Sequence, residues 1–359
     1  MQAAPSAAEV LTPDWLSETL GRSVSQCRVE LLRDQGVSGV LSRVHLDDGS
    51  TLIAKQGHSD PVSASRQRAF GMYARELAFY RDIAARVPVR TPDCFYVAPD
   101  DEAPVLLLME DLAPAVAASF TVGLSASEAS HAVDALAAMH AAWWGSAELD
   151  ALGLWRSTPE DASRWASDLE ERLPRFLDRF ASRLSPAEVR LAELVTEHLA
   201  GCIVEAAALP PTLAHGDPGC PNLMFGHPSA PIAIVDWQLM AARNGLLDVA
   251  WLVILDVPVA LRRQMEGAWL ERYSATLGID AHDAQRWYGL GAVLALRAPI
   301  WMGGESARRS AYTDAYAEAT LTRAFSAGRD LNLASLLVNQ QGGPQGGFGL
   351  AERGNQPVD

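Results

Sequence analysis

Three polar residues in the second half of the chain have the types and spacing needed to hold a cation beside a proton acceptor. Asp217 and Asn222 lie five residues apart in a loop with prolines and glycines, and Asp236 follows a short apolar run. The apolar runs 223–225 and 232–235 flank a turn, which is typical of a β-hairpin. Because Asn222 enters the first strand and Asp236 leaves the second, the hairpin should place an amide oxygen beside a carboxylate.

Two hard oxygen ligands at one point suit magnesium, which keeps water and phosphate in the rest of its shell. Asp217, in the same loop, can accept or orient the proton of an attacking hydroxyl group. The alternative is an Asx-rich turn whose side chains cap their own backbone. These residues therefore predict a magnesium and phosphate site, with a structural turn as the competing interpretation.

The basic residues are distributed unusually. The chain has 359 residues, and its 29 lysines and arginines include a single lysine, Lys55. Arginine is used at every other basic position, so a retained lysine indicates a need for a compact ammonium on a flexible stem. Chance survival of one lysine is the alternative.

The elements that must position these residues follow from the hydrophobic pattern. Short apolar runs and turn residues predict strands at 28–33, 40–46, 51–55, 94–98 and 105–109. Apolar residues at helical spacing predict helices at 72–87, 125–144, 160–183, 185–208 and 247–335. Lys55 ends the third predicted strand, and Pro88 should stop the first predicted helix.

This order predicts an α+β fold with two lobes. The N-terminal lobe, residues 1–108, should be a small antiparallel β-sheet with one helix. Residues 109–114 form the predicted connector, and residues 115–338 a larger, mostly helical C-terminal lobe. Residues 339–359 are rich in Gly, Gln and Pro and are expected to be a disordered tail.

Composition narrows the classes of function. The formal charge is −15 and no block of basic residues occurs, which argues against a nucleic-acid partner. No apolar run of about 18 residues predicts a membrane span. The N-terminal residues lack the pattern of a secretory signal, and the four scattered cysteines predict free thiols in a reducing cytoplasm. A cytoplasmic protein that acts on a small molecule is expected.

The segment from His215 to Asn222 reads HGDxxxxN and precedes an apolar strand that ends in Asp236. This tandem resembles the catalytic loop and metal loop of the aminoglycoside phosphotransferase and choline kinase superfamily, which has a protein-kinase-like fold. Three further segments look closest to the ecdysteroid kinase-like branch of that superfamily: Asp236–Gln238, Asp248–Trp251 and Met139–Trp144.

The resemblance implies an enzyme that uses ATP and Mg²⁺ to phosphorylate a hydroxyl group of a small molecule. Asp217 would be the catalytic base, and Asn222 and Asp236 would be the magnesium ligands. His215 would brace the catalytic loop, and Asp248 would support that loop from a following helix.

The resemblance also assigns residues that bind the phosphates. Lys55 would neutralise the α- and β-phosphates, and Glu76 on the next helix would hold it in place. Gly36, Ser38 and Gly39 lie between the first two strands, where a loop should cover the phosphates.

The connector and the later helices receive the remaining assignments. The Glu110 carbonyl and the Leu112 N–H would bind adenine, and Trp237 is the best candidate for a contact in the cleft. The helices at 255–335 should supply the acceptor pocket, with Tyr288, Arg297, Trp301 and Glu305 as candidate lining residues.

Two other functions are alternatives to a small-molecule kinase. A pseudokinase would bind nucleotide without turnover. A metal-dependent phosphoesterase is suggested by the pair His215 and Asp217, although such sites need further histidine ligands, and His227 is the only other one nearby.

Overall fold

The computed structural model describes residues 7–33, 39–99, 107–226, 231–306 and 309–339. The chain divides into two compact units. The first unit comprises Met1–Ala117, His215–Asp217 and Asn222–Met240. The second comprises Ala118–Ala214, Pro218–Pro221 and Ala241–Asp359.

Strands and helices come in runs along the described ranges. The strands are β1 (Cys27–Arg33), β2 (Val40–Leu46), β3 (Thr51–Gln56), β4 (Cys94–Val97), β5 (Leu107–Glu110), β6 (Val116–Ala117), β7 (Thr212–Ala214), β8 (Leu223–Phe225), β9 (Ala233–Ile234) and β10 (Ala241–Arg243). The helices are α1 (Ala7–Val10), α2 (Pro13–Leu20), α3 (Pro61–Ala69), α4 (Met72–Ala78), α5 (Ala126–Trp143), α6 (Glu148–Ala151), α7 (Pro159–Phe180), α8 (Pro186–Ala207), α9 (Leu246–Asp256), α10 (Val259–Leu277), α11 (Ala281–Gly303), α12 (Ala311–Asp330) and α13 (Leu333–Asn339).

The main sheet of the first unit is antiparallel, with strand order β1-β2-β3-β5-β4 among the described residues. Leu52 and Ala54 of β3 join a buried apolar cluster with Leu16 of α2. Side chains alternate between the two faces of a strand, so Lys55 lies on the face opposite this cluster. Burial of one sheet face against α2 therefore directs the lysine to the other face.

The helix expected at 72–87 is present but changes its winding. It begins as α4, continues as a π-helical segment over Phe79–Ile83, and ends in a 3₁₀ turn over Ala84–Arg86. The first unit also contains α2 and α3, for which the sequence pattern made no prediction.

A second sheet of the first unit, β6-β8-β9, contains the predicted hairpin. β8 and β9 are antiparallel, with Leu223 opposite Ile234. Arg90 forms an isolated parallel bridge with Ala233 and so connects this hairpin to the segment before β4.

The second unit is mainly helical, with β7 and β10 paired antiparallel. Capping boxes begin three of its long helices, since the Ser125, Thr158 and Ser185 side chains each accept a bond from the backbone three residues later. Long apolar faces of α8, α9, α11 and α12 then form its core.

The predicted α+β class is confirmed: an antiparallel N-terminal sheet precedes a mostly helical region. The lobe boundaries at 108 and 115 stay predictions. The predicted tail lies outside the described residues from 340 onward. The four cysteines are free thiols, as expected. In the described ranges, no helix has both the length and the apolar character to cross a membrane.

Candidate active site

His215 braces the loop that follows β7. Its Nδ1 accepts a bond from the Asp217 backbone N–H at 3.1 Å. An imidazole nitrogen that accepts carries no proton, so Nε2–H is the donor to the Val235 carbonyl at 3.0 Å. The neutral ring thus ties the Asp217 backbone to the end of β9, which is a structural role.

Gly216 is required by the backbone of this loop. Its φ is +96°, and a Cβ there would lie 2.0 Å from the carbonyl oxygen of Leu239. No side chain fits in that space, and L residues rarely adopt this φ. The glycine in the HGD segment therefore lets the loop pass directly over the segment that follows Asp236.

Asn222 joins the loop that follows β7 to the hairpin. Its side-chain Nδ2 donates to the Asp217 carbonyl at 2.8 Å and to Asp217 Oδ2 at 3.2 Å. Its backbone carbonyl accepts from the Val235 N–H at 3.0 Å, which sets Asn222 beside the residue before Asp236. Both side-chain bonds use Nδ2, so Oδ1 is the atom that can face a cation.

Asp236 has an uncommon backbone conformation, with φ 67° and ψ 68°. Non-glycine residues in this left-handed region cost free energy and often occur at functional sites. The Asp236 Oδ1 atom lies 3.0 Å from Lys55 Nζ, and the aspartate side chain is 16% exposed. The strained turn thus presents the carboxylate to the lysine.

Lys55 also bonds Glu76, with 2.6 Å between Nζ and Oε1, and both side chains are buried. Burial lowers the pKa of Lys55, but the Asp236 and Glu76 carboxylates outweigh it and leave that pKa above its ordinary value. Burial raises the pKa of Glu76, opposed by the Lys55 ammonium. The expected pair of Lys55 and Glu76 is therefore formed, with the lysine charged. Glu76 lies on α4, which is the second helix after β3 and not the next one, because the sequence pattern did not predict α3.

Trp237 lies in the core, contrary to the prediction of a cleft contact. Its indole is fully buried and stacks on Phe79, with ring centroids 3.8 Å apart and planes 7° apart. Its Nε1–H donates to the Ile234 carbonyl at 3.2 Å. The ring therefore anchors the segment after Asp236 to the π-helical segment that follows α4.

Sequence reasoning missed two residues that make a similar connection. Arg75 Nε donates to the Gln238 carbonyl at 2.8 Å. The Gln238 side chain bonds Glu76 and lowers its pKa, against the larger effect of burial. Their only signal in the sequence is position: Arg75 adjoins Glu76, and Gln238 is two residues after Asp236.

The predicted adenine-binding residues lie at the end of β5 and after it. The Glu110 N–H donates to the Asp93 carbonyl at 2.8 Å, and its carboxylate pairs with Arg90. The Leu112 carbonyl accepts from the Ala115 N–H at 2.9 Å. The Glu110 side chain is thus occupied within the first unit, and adenine binding by backbone atoms stays a prediction.

Of the three residues expected to cover the phosphates, Gly36 and Ser38 lie outside the described residues. Gly39 is described, with φ +100° and a position where a Cβ would lie 2.3 Å from the Gln56 carbonyl oxygen. Close approach to β3 thus requires glycine here, whatever its role toward phosphate.

Asp248 is fully buried in the second unit and pairs with Arg243 at 2.5 Å and with His140 at 3.6 Å. Burial would raise the pKa of Asp248, but Arg243 and His140 hold it well below its ordinary value. His140 also bonds the Tyr273 hydroxyl at 2.8 Å. These contacts belong to a buried network around α9, and support of the catalytic loop by Asp248 stays a prediction.

The four residues proposed for the acceptor pocket each make contacts within the second unit. Tyr288 is buried and donates to Glu266 at 2.7 Å. Glu305 pairs with Arg172 at 2.9 Å, and the Arg172 guanidinium lies 4.3 Å from the Trp301 ring centroid.

The Arg297 guanidinium contacts two other tryptophans, Trp165 and Trp251. A shared acceptor pocket formed by these four residues stays a prediction.

These elements lie in a part of the chain that matches a known family. Residues 33–288, more than half of the chain, match the model of the phosphotransferase enzyme family. The chain belongs to this family. No curated protein sequence matches it.

Solved structures support the fold. A protein from Ralstonia eutropha JMP134, provisionally described as an aminoglycoside phosphotransferase, has 20% identity and a TM-score of 0.56, with 89% of this chain and 96% of that chain covered. The GDP and kanamycin complex of APH(2")-IIia has 12% identity and a TM-score of 0.56, with coverages of 88% and 97%. A macrolide 2'-phosphotransferase type I has 14% identity and a TM-score of 0.52, with coverages of 90% and 98%.

The protein-kinase-like fold is thereby confirmed. The narrower placement in the ecdysteroid kinase-like branch stays a prediction.

Proposed function

We propose that this protein transfers the γ-phosphate of ATP to a hydroxyl group of a small molecule, with magnesium as cofactor. The observation that carries the proposal is the buried lysine at 2.6 Å from Glu76 and 3.0 Å from Asp236. A charged ammonium fixed between two carboxylates is the arrangement that can neutralise nucleotide phosphates. Membership of the phosphotransferase enzyme family supports the same reaction class.

Lys55 and Glu76 act together in binding the phosphates. Lys55 attracts the α- and β-phosphates because its raised pKa keeps it protonated at neutral pH. Glu76 fixes the direction of the ammonium, and Arg75 fixes the helix by donating to the Gln238 carbonyl at 2.8 Å. This pre-organisation lowers the entropy that is lost when the phosphates bind.

Asn222 and Asp236 would hold the magnesium ion. The donor set fits, because an amide oxygen and a carboxylate are hard ligands. A carboxylate has two oxygens, so Asp236 can bond Lys55 and still ligate a cation. The bound ion supplies positive charge that offsets the phosphate oxygens.

Asp217 would orient the acceptor hydroxyl and accept its proton. The Asn222 amide holds its carboxylate at 3.2 Å, and His215 holds its backbone at 3.1 Å. Gly36, Ser38 and Gly39 would cover the phosphates, while Glu110 and Leu112 would bind adenine through their backbone atoms. These roles complete the proposal, together with the cytoplasmic location expected from the sequence.

The test uses ATP, magnesium and a library of hydroxylated small molecules, with release of ADP and mass of the acceptor as readouts. The library includes aminoglycosides and macrolides, the substrate classes in the names of structurally similar proteins. We expect one acceptor to gain a phosphoryl group. We also expect Asp217→Ala to abolish transfer while ATP affinity stays within about tenfold.

The matched control is Asp178→Ala, which removes an exposed carboxylate on α7. It should leave transfer unchanged. Transfer that persists in Asp217→Ala, or ATP binding that is lost with it, contradicts the assigned role. ATP binding without transfer to any acceptor would favour the pseudokinase.

A further inference from the structure

A cavity in the second unit is bounded by α7, α8, α9, β10 and α11 and has a volume of about 40 Å³. Its polar lining comes mainly from three arginines, Arg156, Arg243 and Arg297. The indoles of Trp165 and Trp251 form flat apolar walls. No acidic residue lines it among the residues that the structure describes, so its inner surface is cationic.

Arg297 is held in a defined orientation. The central carbon of its guanidinium lies 5.4 Å from the ring centroid of Trp165 and 5.4 Å from that of Trp251. Cation–π contacts on two rings fix the plane of the guanidinium. A fixed guanidinium fork is suited to a planar, bidentate acceptor.

The other two arginines add charge that nearby acids only partly offset. Arg156 pairs with Asp150 at 2.6 Å, and Arg243 pairs with the buried Asp248 at 2.5 Å. The Arg243 Nε–H is a buried donor without a hydrogen-bond partner. Such a donor costs free energy unless it gains an acceptor. An anionic group in the cavity would be attracted electrostatically by all three arginines.

The volume of the cavity limits the size of the group that it can bind. One water needs roughly 10–15 Å³ of such volume. A cavity of about 40 Å³ therefore holds a small head group, whereas the rest of a ligand would extend along the indole walls. A carboxylate matches the plane of the guanidinium, and a flat or apolar body matches the walls.

We propose that this cavity binds the carboxylate of a small organic acid with a flat or apolar body. The acid is either the phosphate acceptor itself or a separate ligand of the second unit. The first case rests on the proposed function, and the second does not. In both cases the cavity selects against cationic molecules, because they would face three guanidinium groups.

The test is calorimetric titration of the full-length protein with benzoate, without nucleotide. Benzamide, which is neutral and has nearly the same shape, is the matched ligand. We expect saturable binding of benzoate that is at least about tenfold tighter than that of benzamide. Arg297→Gln should weaken benzoate binding by at least about tenfold, and Arg297→Lys, which keeps the charge but not the fork, should bind with intermediate affinity.

Arg190→Gln, which removes an exposed arginine on α8, is the control and should bind benzoate like the parent protein. Circular dichroism verifies the fold of each variant. The proposal is overturned if benzamide binds as tightly as benzoate, if folded Arg297→Gln and Arg297→Lys both bind like the parent, or if no benzoate binds up to about 10 mM.

A second arm identifies the source of the acid. The protein is incubated with ATP, magnesium and 4-(hydroxymethyl)benzoate. If the parent protein phosphorylates this acid, and Arg297→Gln raises KM for the acid but keeps kcat, the ligand of the cavity is the phosphate acceptor itself. Benzoate binding without such phosphorylation identifies a separate ligand. Binding of benzoate is measured without ATP, so its result does not depend on the kinase proposal. If the kinase proposal fails, the benzoate titration still decides this inference.

Discussion

Lys55 reaches Glu76 and Asp236 from a single nitrogen atom, at 2.6 and 3.0 Å, and is only 3% exposed. An ammonium can do this because its three donors radiate from one small centre. A guanidinium spreads its donors over a plane and needs more space. The use of arginine at every other basic position fits this requirement.

Lys55→Arg should therefore lower turnover by at least about tenfold, because the larger head group cannot keep both contacts in the buried site. Steady-state kinetics with ATP and the identified acceptor measure the loss. The control is the opposite exchange at an exposed ion pair, Arg22→Lys, whose partner is Asp48 at 2.6 Å. Near-normal turnover of Lys55→Arg would contradict the argument from the single lysine.

A second residue, Asp256, has chemistry that the sequence did not indicate. It lies at the end of α9, is 1% exposed, and its Oδ2 accepts the Cys220 N–H at 3.1 Å. Its Oδ1 is buried without a hydrogen-bond partner. Burial raises the pKa of Asp256 to about 6, opposed by the Cys220 bonds and by Arg323.

This shift predicts a dependence of stability on pH. The folded state keeps the Asp256 proton up to about pH 6, whereas the unfolded state loses it near pH 4. The free energy of unfolding should therefore fall as the pH rises through that window, by on the order of 3 kcal/mol for a shift of about two pKa units.

Chemical denaturation of the parent and of Asp256→Asn at pH values from about 4 to 7 measures this effect. As the pH rises, the unfolding free energy of the parent should fall relative to that of Asp256→Asn. Asp178→Asn, at an exposed site, should show no such change. A difference that is constant with pH would contradict the prediction.

At the scale of elements, the loop from β7 to β8 depends on one glycine. Gly216 combines φ +96° with a 2.0 Å approach to the Leu239 carbonyl, whereas Gly49 has φ +82° and open space around it. An alanine would be strained at either position, because φ is positive at both. Only Gly216 adds a clash with backbone atoms.

Gly216→Ala should abolish transfer, because the loop that carries Asp217 must shift. Gly49→Ala should keep transfer and lose only about 1 kcal/mol of stability from the strained φ. Transfer assays and thermal melting of both variants separate the two effects. Equal activity of the two variants would show that the close approach at residue 216 is not needed.

The sequence predicted those elements that local pattern determines. The β8–β9 hairpin followed from two apolar runs around a turn, and the helix starting near Ser125 followed from its capping box. The π-helical segment over Phe79–Ile83 was missed, and its first residue, Phe79, stacks against Trp237. That contact joins residues far apart in the chain, which local periodicity does not report.

For the whole molecule, the candidate site joins distant parts of the chain. Lys55 and Glu76 are 21 residues apart, and Lys55 and Asp236 are 181 apart. Composition identified the lysine, and the hairpin pattern identified the aspartate, but only the resemblance to a family paired them. Spacing alone could not have done so, because the pairing follows from how the sheet, α4 and the hairpin pack.

Residues on the long helices were harder to predict. Tyr288 and Glu305 looked available from their positions, yet each bonds a buried partner, Glu266 and Arg172 respectively. These partners could not be predicted from local pattern, because they lie on other helices, α10 and α7. Arg297 was named for a pocket on the same reasoning, and the structure places it in a cavity.

The solitary lysine has a practical consequence. Reagents that acylate primary amines would find one ε-amino group in this chain, and it is enclosed at 3% exposure. The rate of its modification, followed by peptide mass spectrometry, would report how often the Lys55, Glu76 and Asp236 cluster opens. Protection by nucleotide would then give a binding constant without a label, a mutation or an acceptor.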